Sequence, residues 1–304
     1  MSDIITVEDT RPSTTKMIWA FSVILISYGV AIGVAVGIGW LLQGLMHPIW
    51  LTLIANVGAT IVIFIFSVLF SNVSFYDPYW SVQPIVIVIY WFFIATPYVN
   101  PIRQAVVLGC VSFWGLRLTV NWIRGWKGLQ HEDWRYVKYR KEKPKLFQII
   151  SFTGLQMMPT LIVYLGCISI YPALVYSNTN FNFLDIIGII ITVGATLIEL
   201  LADEQMRMFL KMNNDSNKVM TLGLWGYSRH PNYFGEISFW WGLFFFSLAA
   251  DFSMWWTISG PIAMIILFVF ISVPLTENKQ LAKRPEYTEY KRTVSMLIPW
   301  FPRN

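Results

Sequence analysis

The stretch Gly223-Leu224-Trp225-Gly226-Tyr227-Ser228-Arg229-His230-Pro231-Asn232-Tyr233-Phe234-Gly235-Glu236 is polar, punctuated by glycine, and set between two apolar runs. Arg229, Asn232 and Glu236 stand three and four residues apart, so a helix through this segment would carry them on one face. Arg and Asn at a membrane edge suit an anionic ligand, and Glu236 lies one turn deeper, where a carboxylate is expensive. An ionisable group at that depth marks a functional site. The competing reading is an interfacial loop with an arginine reaching toward the headgroups and a satisfied glutamate.

Composition supplies the membrane. Of 304 residues, 56% are hydrophobic and 13% charged, about half the charged share of an average soluble domain. Eight apolar runs approach or reach the 17–25 residues of a spanning helix: 17–42, 49–70, 82–99, 103–123, 152–176, 183–201, 234–250 and 255–273, of which the third and seventh are short. The expected fold is an all-α, polytopic bundle of seven to eight transmembrane helices with a cytosolic C-terminal segment. Residues 1–16 read as a disordered cytosolic tail, and 17–304 as one membrane domain. The first run is too long for a signal-peptide core and reads as a true span. Within it, Gly29, Gly33 and Gly37 form the small-residue stripe that lets two helices approach closely.

Charge orients the bundle. Arg124, Lys127, Arg135, Lys138, Arg140, Lys141, Lys143 and Lys145 crowd one connection. Arg207, Lys211, Lys218 and Arg229 lie in another, and Lys279, Lys283, Arg284, Lys291, Arg292 and Arg303 in the tail. The opposite connections, such as Ser177-Asn178-Thr179-Asn180, carry almost none, so the positive-inside rule places both termini in the cytosol. The net charge of +5 is then a matter of orientation and of anionic ligands, and nucleic acid is not needed to explain it. Cys110 and Cys167 both fall in apolar runs, which indicates no disulfide framework. His47, His131 and His230 are too few and too scattered for a metal site.

Three further segments concentrate polar groups. In Ser71–Trp80, Asp77 precedes Pro78 and suits a helix cap, or, with Tyr76, Tyr79 and Trp80, the mouth of a cavity. Arg117, Asn121 and Arg124 share one face of the fourth span, with Arg117 two turns inside it, and Glu132–Tyr136 then reads as an amphipathic surface stretch or a solvated charged face. Glu199, Asp203, Arg207 and Lys211 recur every four residues, a spacing that favours mutual pairing, although Glu199 lies within the apolar run. The basic groups suit phosphates, and the carboxylates and amides suit ribose hydroxyls or a carboxamide. That inventory fits NADPH better than S-adenosylmethionine, a sulfonium cation with one carboxylate.

The signature Gly223–Glu236 resembles that of the steroid 5-alpha-reductase C-terminal-type membrane proteins, the DUF1295 family. The resemblance continues through Arg117-Leu118, Glu132-Asp133-Trp134-Arg135-Tyr136, Asp203–Phe209, Arg284-Pro285-Glu286-Tyr287 and Ser295–Pro302, covering roughly 71–303. Arg-His-Pro-x-Tyr also occurs in membrane methyltransferases of similar fold, whereas Asn-Tyr-x-Gly followed by an acid resembles the steroid 5-alpha and sterol C14 reductases. The resemblance implies NADPH as cofactor and a lipid- or steroid-like enone as substrate. It implies cofactor contacts at Asp203, Asn232 and Glu236, with Arg117 in the same pocket and Lys218 where a phosphate-binding arginine is expected. Asn121, Arg124, Arg207, Lys211, Tyr227, Arg229, His230 and Tyr233 complete the candidate cofactor set. Asp77, with Tyr76 and Tyr79, is the candidate for polarising the substrate carbonyl. The tail departs from the reductases at Thr276-Glu277-Asn278-Lys279-Gln280, and Trp114 stands where they have a tyrosine. The alternatives are a methyltransferase using S-adenosylmethionine on a lipid-like acceptor, and a non-catalytic lipid-binding protein.

Overall fold

The chain is described by a computed structural model over residues 13–213, 215 and 217–303. Among these residues the regular structure is helical, with no strand. In chain order the α-helices are α1 (Thr14–Leu42), α2 (Pro48–Leu69), α3 (Tyr79–Phe93), α4 (Pro101–Gly125), α5 (Trp134–Glu142), α6 (Phe147–Ile150), α7 (Met158–Ile168), α8 (Tyr171–Val175), α9 (Phe183–Met212), α10 (Pro231–Ala250), α11 (Ser259–Ile266), α12 (Val273–Lys283) and α13 (Tyr287–Thr293). π-Helical turns join α6 to α7 and α11 to α12. Most of the tail expected at 1–16 lies outside the described residues. Ser13 caps α1 by accepting from Lys16 N, so the first helix starts three residues before the apolar run does.

Among the described residues six helical stretches are long and apolar enough to cross a membrane: Thr14–Leu42, Pro48–Leu69, Pro101–Gly125, Phe147–Ile168, Phe183–Met212 and Phe252–Lys283. The two expected spans missing from that set are α3 and α10. At 15 residues, α3 rises about 22 Å, short of a hydrocarbon core of about 30 Å. α10 has 20 residues but carries Glu236, two serines, two glycines and two tryptophans, and its side chains are mostly buried by protein rather than offered to lipid.

The chain divides into two compact units. The first comprises residues up to Trp80 together with Val120–Thr160. Here α1 sets Ala20, Val23, Ile24, Tyr28 and Ala31 into the core, and α2 sets Leu51, Ala55, Ala59 and Ile63. The close approach is made by Gly58, where a Cβ would meet Ile38 Cδ1 at 2.4 Å. The Gly29, Gly33 and Gly37 stripe does not take part, since a Cβ at each would meet nothing within 4 Å. The buried face of α1 is instead the one bearing Ala20 to Ala31.

The second unit, Ser81–Thr119 with Leu161–Asn304, is built around α9 and α10. α9 opens with a capping box, Asn182 and Asp185 each accepting from the other's backbone region. Two glycines of α10 bring the helices together. A Cβ at Gly235 would stand 2.4 Å from Glu199 Cγ, and one at Gly242 would stand 2.5 Å from Thr192 Cγ2. Small residues at such a crossing let backbones approach directly.

Candidate functional site

In the second unit, α4, α9 and α10 bring charged groups together at depth. Arg117 on α4 donates through Nη2 to Glu199 and through Nη1 to Asp203 Oδ2 at 3.1 Å, both on α9. Glu236 on α10 accepts two indole N–H groups, Trp114 at 3.1 Å and Trp240 at 2.9 Å. Trp114 is fully buried and stacked on Phe239, with centroids 4.7 Å apart. Its one donor faces Glu236, so it helps position a carboxylate. Further along α9, Arg207 lies 3.8 Å from Glu204, and Lys211 is exposed in the last turn.

The signature segment folds differently from the face drawn in the sequence. α10 begins at Pro231 with His230 as its cap residue, so Arg229 is outside the helix and only Asn232 and Glu236 keep the four-residue register. The proline is the cause: it is favoured in the first helical turn, and the residue before it is pushed away from helical geometry. Buried Arg229 turns instead to the tail. Its Nε donates to Glu277 Oε1 at 2.7 Å and its Nη1 to the carbonyls of Lys291 and Val294. His230 Nε2 lies 3.4 Å from the same Glu277 oxygen, and Lys291 Nζ lies 2.8 Å from the other. The His230 ring stacks on Tyr233 at 5.2 Å. Glu277 is the residue missed from sequence. It falls within 276–280, and nothing local pairs it with residues 47 and 48 positions earlier.

Two adjoining cavities open along the signature. A smaller one of about 140 Å³ is lined by Arg229, His230, Asn232, Tyr233, Gln280 and Arg284 among others. A larger one of about 830 Å³ is lined by Lys218, Gly223, Tyr227, Glu286, Glu289 and Phe301 among others. Val219 and Tyr290 border both. Gly223 adopts φ +60°, a left-handed conformation in which a Cβ would strike Gln205, and Gln205 Oε1 receives Leu224 N at 2.9 Å. Arg117, Asp203 and Glu236 are not among the residues lining these two cavities.

The first unit holds the candidate polarising groups, and also Asn121 and Arg124 at the end of α4, half-buried and exposed respectively. Asp77 lies in the turn before α3 and accepts from Tyr136 Oη at 2.6 Å. Burial pushes its carboxyl up to about 6, against the hydrogen bond from Tyr136, and burial together with Asp77 holds the Tyr136 hydroxyl well above its ordinary value. The turn is laced to the segment before α5. Asn72 Nδ2 donates to the Leu129 and His131 carbonyls, Val73 N to Glu132, and Asp133 N to Ser74 Oγ. Tyr76 Oη shares a hydrogen bond with Thr160 at 2.8 Å, and Tyr79 Oη donates to Asn56 Oδ1 at 2.8 Å. A carboxyl that keeps its proton to about pH 6 can donate to a carbonyl below that pH and accept above it.

Residues 63–294 match the family described as a protein of unknown function, DUF1295. The chain belongs to the DUF1295 family. It is also similar to the uncharacterized protein C594.04c of Schizosaccharomyces pombe, 26% identical over 256 residues that cover 77% of this chain and 74% of the yeast protein. No solved structure matches the chain. The matched region takes in Asp77, Glu199, the signature and Glu277, whereas Phe301 of the larger cavity and Asn56 beside Tyr79 lie outside it. Among the described residues no group of three or more His, Cys, Asp or Glu is arranged to hold a metal ion.

Proposed function

We propose that this DUF1295 member is an integral-membrane reductase that uses NADPH to reduce the activated C=C bond of a steroid- or lipid-like enone. The observation that carries the reading is that one segment, Gly223–Tyr233, walls both adjoining cavities, and that the same segment bears the reductase-like signature. The larger cavity is within the usual 300–1,000 Å³ of small-molecule sites. The residues suit a dinucleotide. Lys218 and Arg284 offer cations for phosphates, Tyr227 and Phe301 offer aromatic surface, and Asn232 offers an amide for a hydroxyl or carboxamide.

When bound, the dihydronicotinamide supplies the hydride. The chain's own part is to hold the nucleotide at the signature and to polarise the enone carbonyl. Asp77 is assigned the second role ahead of Tyr76 and Tyr79, because its carboxyl has a second oxygen besides the one that accepts from Tyr136, whereas the single hydroxyls of the tyrosines are engaged with Thr160 and Asn56. A positioned acid of this kind contributes about 10²–10⁴-fold. The basic connections support a cytosolic nucleotide side, in a bacterial inner membrane or the endoplasmic reticulum.

A second reading, methyl transfer from S-adenosylmethionine, has one observation in its favour. Arg117 stands among three carboxylates, Glu199, Asp203 and Glu236, and an acidic surrounding suits a sulfonium. Mass spectrometry of the small molecule that co-purifies with the protein separates the readings. NADP(H) is expected; S-adenosylmethionine or its demethylated product supports transfer, and a lipid with neither points to a binding protein.

A further inference from the structure

Glu199 presents an unsolved hydrogen-bonding problem inside the second unit. It is buried at 2% exposure on α9, and the backbone of α10 presses on it at Gly235. Arg117 Nη2 serves its Oε2. Its Oε1 is buried with no hydrogen-bond donor among the described residues. What lies within hydrogen-bonding reach of its carboxyl is the carboxyl of Glu236. Two ionised carboxylates cannot hydrogen-bond to each other, since both only accept. A buried acceptor left without a partner is rare and calls for a missing donor.

The charges point to the same missing atom. The groups facing Glu199 are Arg117 from α4, Asp203 from its own helix and Glu236 from α10. Arg207, beyond Asp203, is drawn toward Glu204. Fully ionised, the buried set would hold three negative charges around one guanidinium, at a depth where each unpaired charge is costly. Glu236 is the member best built to stay anionic, because each of its oxygens already receives an indole N–H.

We infer that Glu199 and Glu236 share one proton, carried on Glu199 Oε1 and donated to Glu236, making Glu199 a positioning residue that fixes the orientation of Glu236. The arrangement supplies the missing donor, removes one negative charge from the core, and gives Glu236 three donors in place of two. It belongs to the chain itself and stands whether or not a nucleotide binds nearby.

The test uses the ligand-free protein in nanodiscs and reads the infrared absorption of protonated carboxyl groups at about pH 8, where ordinary carboxylic acids are ionised. A protonated-carboxyl C=O band is expected in wild type and is lost in Glu199→Gln. Glutamine mimics a neutral acid, with its amide donating to Glu236 and its carbonyl accepting from Arg117. The Glu199→Gln melting temperature should therefore stay near wild type. Glu236→Gln places an amide NH₂ against an indole donor and should melt roughly 4–8 °C lower. Absence of the band in wild type, its survival in Glu199→Gln, or an equal fall in melting temperature for the two variants overturns the shared proton.

Discussion

Arg229 Nε and Glu277 Oε1 meet at 2.7 Å with both side chains buried, and the same guanidinium reaches the carbonyls of Lys291 and Val294 at 2.8 and 2.6 Å. The signature arginine thus anchors α12 and the end of α13 to the start of α10. Arg229→Ala would leave Glu277 buried with fewer donors, a loss on the order of 3–5 kcal/mol. A markedly lower melting temperature without nucleotide is the expected outcome. Lys218→Ala, an exposed change, should leave that temperature unchanged. Equal melting temperatures for Arg229→Ala and wild type would remove the anchoring role.

Asp77 makes stability depend on pH. Its proton leaves near 3.8 in an ordinary setting and near 6 in the fold, because burial disfavours the charged form. Between those values the folded state binds more protons, so this contribution to stability falls as pH rises and is fully lost above about 6. Asp77→Asn should abolish that component of the melting profile, keep nucleotide affinity nearly intact and lower turnover once an enone substrate is found. A variant as active as wild type would move the polarising role elsewhere.

Arg103 and Asp185 form a second buried pair, at 2.7 Å and fully enclosed. Arg103 also serves the carbonyls of Thr179 and Asn180, and Asp185 receives Asn182 N. Either Arg103→Met or Asp185→Asn alone strands a buried charge and should cost about 3–5 kcal/mol. The double variant should recover most of that loss in a double-mutant cycle. Additive losses would show that the two residues act separately.

The membrane class and the long helices were legible because apolar runs of spanning length survive any packing arrangement. The side-chain pairings were not legible. Arg229 looks like a phosphate ligand in sequence because its partner, Glu277, comes from a helix far along the chain. Arg117 similarly looks like an unpaired cation until α9 brings Glu199 and Asp203 beside it. Periodicity predicts which face a residue occupies, whereas the neighbour across that face is decided by tertiary packing. Pro231 is the exception that could have been read locally, since it sets the first turn of α10 and excludes Arg229 from the helix.

The basic connections predict a cytosolic α5. Lys141 is exposed on that helix, so a cysteine introduced there should resist an impermeant reagent applied to intact cells and react after lysis. Efficient labelling from outside would invert the topology and place the signature segment away from cytosolic nucleotide.

The most direct measurement is a calorimetric titration of the purified protein with NADPH, NADH and S-adenosylmethionine under identical conditions. Saturable NADPH binding is expected, tighter than NADH, weakened by salt, and reduced selectively by Lys218→Ala. Binding of S-adenosylmethionine with no response to either dinucleotide would contradict the reductase reading.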